Sequence, residues 1–196
     1  FEKYFPHFLK DPEFVSPDEY KSLYEGHEVS CHGEQHSFMY YTPDEYIRRE
    51  IRENRRFLES KVGYPVRGMS YPFGSFDDRV IDACRAEGME YARTASSSMS
   101  FGIPSDFMKW DATCHHDRAT KELFEKFMSP MLYDFMRLFY IWGHSYEFYT
   151  EEHWEKMEHL CKTVSGDDNI WYATNIEIFD YLNAVRSLRF SANCDI

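Results

Sequence analysis

Two histidines four residues apart are the sharpest chemical feature of the sequence. His32 and His36 follow a short apolar segment that begins near Glu28. On one helical turn, residues i and i+4 face the same way, so both imidazoles could bind one cation, and zinc accepts such nitrogen ligands. Nine histidines in a chain of 196 residues also produce this spacing by chance. In that case both rings would be solvated or hydrogen-bonded, and the spacing alone leaves the two interpretations open.

A second feature is the turn from Tyr71 through Pro72, Phe73 and Gly74, between a predicted strand and a predicted helix. Proline and glycine shape a tight turn whose backbone N–H groups could face a bound oxyanion. The alternative is an ordinary strand-to-helix loop in which the segment 75–77 only caps the helix.

A third feature is His144, which follows an apolar segment that ends at Trp142. Because the imidazole pKa lies near neutrality, a histidine at the end of a strand can act as a general acid or base. It could equally be a hydrogen-bonded histidine at the edge of the core.

The elements that must position these side chains alternate between helices and strands. Capping patterns at 16–19 and 42–45 predict two helix starts, and the second helix runs to about Lys61. Further helices are predicted over 77–87, 120–128, 151–163 and 176–188, and strands over 28–31, 67–71, 91–94, 109–113, 138–142 and 170–173. Alternation implies an α/β fold with parallel pairing, in which the polar segments lie at the carboxyl ends of strands.

Composition narrows the possible partners. The formal net charge of −12 opposes a general attraction to nucleic acid phosphates. No apolar run approaches the roughly 20 residues that a membrane helix needs. A length of 196 residues, without an internal repeat or a flexible linker, predicts one domain over residues 1–196.

The five cysteines are scattered, and no CxxC pair occurs. An odd count argues against a complete set of disulfides, so reduced thiols in a cytoplasmic setting are favoured. Secretion stays open, because a leader could have been removed ahead of Phe1.

Taken together, the histidine pair, the Pro-x-Gly turn and the late histidine resemble the polysaccharide deacetylases of the NodB-homology type. The resemblance covers residues from about Gly26 to the end of the chain. It implies a distorted (β/α) barrel of about seven parallel strands and one divalent metal, held by one Asp and two His. It also implies the removal of acetyl groups from N-acetylated or O-acetylated sugars.

Carried over by position, the resemblance makes His32 and His36 metal ligands and places Phe73 where the family uses a backbone N–H in its oxyanion hole. It makes His144 the group that protonates the leaving amine or alcohol. Asp111 falls where the family has an acid that orients this histidine, although a plain strand-end cap is the alternative. Further groove residues are expected at Tyr71, Pro72, Gly74 and Trp142, and the metal is expected to be zinc, with cobalt, nickel or iron possible.

Two departures from the family pattern matter. The family's Thr-Phe-Asp-Asp-Gly motif should precede the histidine pair, and nothing in residues 1–31 resembles it. We therefore expect the natural chain to begin upstream of Phe1, with the first βα unit absent here. Asp77 and Asp78 resemble the Asp-Asp pair of this motif in sequence, but we interpret them as residues that cap a helix. In addition, Ser70 stands where many relatives have an arginine that orients the catalytic base.

Two rival functions are carried forward. One is a carbohydrate-binding domain of the same fold with a degenerate site, whose aromatic side chains stack on sugars without turnover. The other is an unrelated metallohydrolase that uses 114–116 with Asp111. Adjacent residues of a strand point to opposite faces, which argues against a metal shared by His115 and His116.

Overall fold

The computed structural model describes residues 15–129 and 136–192, which form two compact units. Of these residues, unit A comprises 24–95, 104–111 and 170–192, and unit B comprises 15–23, 96–103, 112–129 and 136–169. The described residues include six helices, which are α1 Tyr20–Leu23, α2 Asp44–Val62, α3 Asp78–Ala86, α4 Lys121–Met128, α5 Glu151–Val164 and α6 Asn175–Ser187. The same part of the chain has five strands, which are β1 Gly68–Ser70, β2 Tyr91–Ser97, β3 Trp110–Ala112, β4 Cys114–His115 and β5 Ile141–Trp142.

The strands form two small sheets. One has the order β1-β2-β3, with β1 parallel to β2, and Cys31 adds a parallel bridge to Met69 at its edge. The other is the parallel pair of β4 and β5. The expected α/β class with parallel strands is thus confirmed, while closure into a barrel of about seven strands stays a prediction.

Local sequence accounts for the helices. Pro43 precedes α2, and apolar residues at helical spacing, among them Ile47, Ile51 and Leu58, bury one face of this helix. Gly63 ends it in the left-handed conformation. Asp77 caps α3 by accepting the Val80 N–H, so the expected capping role of the Asp pair is correct for Asp77.

Only some of the predicted strands are present in the structure. The segment 28–31 contributes only the bridge at Cys31, and 170–173 forms no strand. β4 was not predicted, because two residues are too short to show any periodicity.

Two further findings bear on the sequence expectations. Cys31, Cys84 and Cys114 are buried free thiols and Cys161 is an exposed one, whereas Cys194 lies outside the described residues. Among the described helices, none combines the length and the apolar character that a membrane span requires.

An ion-pair cluster of Arg48, Arg52 and the largely buried Glu87 side chain joins α2 to the C-terminal end of α3. Arg52 Nη2 donates to Glu87 Oε1 at 2.6 Å, and Arg48 Nε donates to the same oxygen at 2.7 Å. The hydrogen bond from Arg52, joined by that from Arg48, outweighs burial and lowers the pKa of Glu87 from 4.5 to about 2. Glu87 therefore stays ionised where most carboxyl groups have become protonated.

Glu87→Gln is expected to lower the free energy of unfolding by about 2 kcal/mol at neutral pH, because the variant loses the charge that both arginines bind. The contribution of Glu87 is complete above pH 4.5 and is lost as the pH falls toward about 2. Urea unfolding at several pH values should show the two proteins converging in acid. Asp82→Asn is the control, since the Asp82 side chain is 79% exposed. Equal stability of Glu87→Gln and the parent at pH 7 would refute the role of the cluster.

Candidate functional site

His32 and His36 lie in a loop of unit A, and not on a helical turn. Gly33 and His36 both adopt the left-handed conformation, with φ of 80° and 55°. These two bends fold the loop back, so that the imidazole centroids lie 4.6 Å apart in an edge-to-face arrangement. The expectation of a shared helical face was wrong in its local geometry, although the two rings are neighbours as it required.

The first turns of α2 hold this loop in place. Glu50 is 6% exposed, and its Oε2 and Oε1 accept the Gln35 N–H at 3.0 Å and the Ser37 hydroxyl at 3.1 Å. One turn later, Asn54 Oδ1 accepts the His32 N–H at 2.9 Å. A buried carboxylate and a half-buried amide therefore fix the backbone on both sides of Gly33.

Ser70, at the end of β1, orients the first imidazole. The backbone oxygen and the hydroxyl oxygen of Ser70 lie 2.8 Å and 2.9 Å from His32 Nδ1. A carbonyl oxygen can only accept, so Nδ1 carries the proton, and Nε2 is the nitrogen that would coordinate a cation. The residue that departs from the family pattern thus contacts the histidine that the resemblance makes a metal ligand.

This donor set fits a divalent cation in part. A neutral imidazole held through Nδ1, with a second imidazole beside it, supplies two nitrogen ligands suitable for zinc. In residues 15–129 and 136–192, however, no third His, Cys, Asp or Glu joins His32 and His36 within ligand reach. Coordination by this loop alone would be incomplete.

The Pro-x-Gly turn adjoins the histidine pair. Residues Pro72–Gly74 form a single 3-10 turn in which Phe73 is left-handed, with φ 57°. Gly74 also has positive φ, and a Cβ there would lie 2.7 Å from the Ala95 Cβ, so the turn can approach β2 only with glycine. The tight turn expected from Pro72 and Gly74 is present, while its role at a bound oxyanion stays a prediction.

An aromatic surface flanks the turn. The Phe73 ring stacks on Phe38, with centroids 3.8 Å apart and planes 4° from parallel, and it meets His36 edge-on at 4.4 Å. Phe38 and Phe73 are 51% and 41% exposed. Exposed aromatic rings beside the histidines provide a flat apolar surface that could stack on a sugar ring.

Tyr71 does not line a groove with its side chain. It is 2% exposed, and its hydroxyl donates to the Met108 carbonyl at 2.9 Å. Burial raises the pKa of this phenol well above its usual range. Pro72 is fully buried as well, so the side chains of Tyr71 and Pro72 belong to the core. At these two positions only the backbone can face a ligand.

Asp111, on β3, contacts the neighbouring strand. Its Oδ1 accepts a hydrogen bond from the Thr94 hydroxyl. The role that the resemblance gives it, orienting His144, stays a prediction.

His144 lies in unit B, directly after β5. Its N–H donates to Glu147 Oε2 at 2.7 Å, and its ring stacks on Tyr146 at 4.7 Å and meets Trp142 edge-on at 5.5 Å. Glu147 is therefore an acid that contacts His144, and the sequence analysis did not predict this contact. The available signal was the spacing of three residues between a capping position and a glutamate.

His115 and His116 do not point to opposite faces. β4 ends at His115, and His116 begins a 3-10 turn, so the alternation of a strand stops between them. Their ring centroids are 4.2 Å apart. With Glu147 they form the one group of three potential metal ligands within residues 15–129 and 136–192.

Two comparisons with known proteins concern the sequence of the chain. Residues 4–92 match the family model described as polysaccharide deacetylase. No curated protein sequence matches the chain significantly.

Solved structures show a similar fold. A wild-type Bacillus anthracis protein, BA3943, described as a CE4 family pseudoenzyme, has a TM-score of 0.54 and 17% identity over 83% of this chain and 50% of that chain. A mutant of it, described as having restored enzymatic activity, gives 0.55 and 16% over 84% and 52%. The Streptococcus pyogenes deacetylase PplD, solved with acetate, gives 0.51 and 11% over 62% and 54%. The chain spans about half of the length of these structures.

Proposed function

We propose that the protein is a metal-dependent hydrolase that removes acetyl groups from a carbohydrate, because residues 4–92 match the family model described as polysaccharide deacetylase. The proposal includes the family's barrel of about seven strands and its single divalent ion, zinc in the first instance. The observation that carries it is the arrangement of His32, whose Nδ1 is hydrogen-bonded to the Ser70 carbonyl and whose ring centroid lies 4.6 Å from that of His36.

The chemistry assigned to these residues is hydrolysis of an amide or ester. A bound divalent ion would polarise the acetyl carbonyl and the attacking water. The backbone N–H of Phe73 is proposed to hold the negative oxygen that forms when water adds to the carbonyl carbon. The attacking water would give its proton to the Asp base that the family's Thr-Phe-Asp-Asp-Gly motif supplies. As the bond from this carbon to nitrogen or oxygen breaks, His144 would give its proton to the leaving amine or alcohol, and acetate remains.

A second candidate function is supported by the donor set itself. Two imidazoles without a third ligand in the described residues suit a carbohydrate-binding domain that has lost catalysis. The aromatic surface of Phe38 and Phe73 would serve this function equally well.

An assay of acetate release distinguishes the hydrolase from the binding domain. The protein is freed of metal with a chelator, returned to one equivalent of Zn²⁺, and incubated with N-acetylglucosamine oligomers or with acetylated xylan. Zinc-dependent acetate release establishes the hydrolase. Zinc binding without acetate from either substrate overturns it and favours the binding domain.

Phe38→Ala tests the aromatic surface as a sugar platform. Loss of one stacked ring should remove about 0.5–1.5 kcal/mol of binding, so KM for the oligomer should rise about two- to tenfold while kcat changes little. Steady-state kinetics measures both constants. Tyr46→Ala, which removes an exposed ring from α2, is the control, and an unchanged KM in Phe38→Ala would contradict the platform.

A further inference from the structure

The short parallel pair of unit B gathers four polar side chains at one edge. In the register, Cys114 lies beside Ile141 and His115 beside Trp142, so both strands end side by side. The segments that follow them therefore start from the same edge, as in larger parallel sheets. One of these segments carries His115 and His116, and the other carries His144 and Glu147.

Three ligand atoms converge there on one point. Glu147 Oε2 lies 2.8 Å from His116 Nε2 and 3.2 Å from His115 Nε2. The ligand atoms of the three residues lie within 4.8 Å of one another. The side chains are 19%, 16% and 28% exposed for His115, His116 and Glu147, so an ion can enter while most of each group is removed from water.

The surrounding residues hold the imidazoles in ligand orientation. Asp117 Oδ1 lies 2.8 Å from His115 Nδ1, which places the proton on Nδ1 and turns Nε2 toward the cluster. Trp142 meets His115 edge-on at 4.9 Å, and Phe148 lies 4.8 Å from His116. A carboxylate behind a histidine and apolar rings around it are the usual support of a metal site.

Gly143 makes room for the second imidazole. A Cβ at this position would lie 2.1 Å from His116 Cδ2, so any other residue would displace the ring. The backbone between β5 and His144 thus forms part of the pocket in which His116 lies.

We propose that His115, His116 and Glu147 form a divalent-metal site of their own, with a donor set different from His32 and His36. Two imidazoles and one carboxylate are a ligand set that zinc uses with a fourth position left for water. Imidazole nitrogen favours zinc, cobalt or nickel over magnesium or calcium, which prefer oxygen.

The geometry has one competing explanation, in which the three side chains only fasten the two loops by hydrogen bonds. In that network both Nε2 atoms must carry protons, because Glu147 can only accept from them when ionised. Burial would raise the pKa of Glu147, but the hydrogen bonds from His116 and the His144 N–H, with the charges of His115 and His144, lower it overall. An ionised Glu147 is compatible with the metal site and with the hydrogen-bonded network. A measurement of metal binding is therefore needed to distinguish them.

The test uses a protein carrying His32→Ala and His36→Ala, which cannot bind metal at the loop of unit A. Calorimetric titration with Zn²⁺ should give one equivalent bound, and Co²⁺ should give the visible absorption of a low-coordinate cobalt site. Mg²⁺ should give neither. Adding His115→Ala or Glu147→Gln should abolish both signals, with the fold checked by circular dichroism. His159→Ala and Glu155→Gln, on the exposed face of α5, are matched controls that should change nothing.

Absence of Zn²⁺ binding in the parent variant, or equal binding after Glu147→Gln, would overturn the proposal in favour of the hydrogen-bonded network. Asp117→Asn offers a milder test, because it keeps all three ligands. Loss of the carboxylate behind His115 should weaken zinc binding about 10- to 100-fold. Since the loop histidines are absent throughout, these outcomes are independent of whether the protein releases acetate.

Discussion

His32→Ala is expected to reduce zinc-dependent acetate release at least about 100-fold and to remove the zinc bound in unit A. The reason is that the Nδ1 proton of His32 is held by Ser70, so Nε2 is its proposed metal-binding nitrogen. Loss of one of the two proposed imidazole ligands leaves a single imidazole in this loop, too few for stable coordination. Elemental analysis and the acetate assay on the same preparation measure both effects.

The control for this variant is His27→Ala, which removes an exposed imidazole five positions earlier. It should retain both zinc and activity. Since unit B offers a further candidate metal site, zinc content is best compared in proteins that also carry Glu147→Gln. Full acetate release by His32→Ala would show that another group binds the catalytic metal.

Glu50→Ala is expected to cost about 2–4 kcal/mol of unfolding free energy and to weaken zinc binding by His32 and His36. Glu50 is buried and accepts hydrogen bonds from Gln35 and Ser37, each of which is charge-assisted. Without these bonds the loop loses the anchor that brings the two imidazoles within 4.6 Å. Urea unfolding and zinc titration report the two effects separately.

Glu53→Ala on the same helix is the control, since the Glu53 side chain is 40% exposed and forms a surface ion pair with Arg56 one turn away. It should lower stability by less than about 1 kcal/mol. A Glu50→Ala protein with unchanged stability and zinc affinity would show that the loop is held by its own backbone conformation.

Helices could be predicted because their signals are local. The capping groups at Asp77 and Thr120 and the spacing of Ile47 and Ile51 are visible in the sequence, and the observed bounds follow them closely. The expected cap at Thr42 was wrong, since Pro43 is the N-cap of α2 and the Thr42 hydroxyl donates to the Phe38 carbonyl. Strands of two or three residues carry no such signal, since their pairing depends on partners far away in the chain.

The histidine pair shows how a motif can be identified through incorrect local geometry. The spacing of four residues suggested a helical turn, whereas positive φ at Gly33 and His36 brings the rings together in a loop. Glycine at 33 was the available signal for a bend. Positive φ at a histidine, and the buried Glu50 that supports it, depend on tertiary contacts that spacing does not encode.

The expectation that His115 and His116 point to opposite faces was wrong for a related reason. Alternation of side chains applies only while a strand continues, and β4 ends at His115. The contribution of Glu147 could not be foreseen, because it reaches the pair only through the pairing of β4 with β5.

The most direct test of the account is crystallographic location of zinc by anomalous scattering at its absorption edge, in protein carrying Glu147→Gln. If His32 and His36 bind the zinc, we expect one anomalous peak in unit A, about 2.0–2.1 Å from His32 Nε2 and from a ring nitrogen of His36. Zinc bound in solution with no peak at these histidines would contradict the central claim.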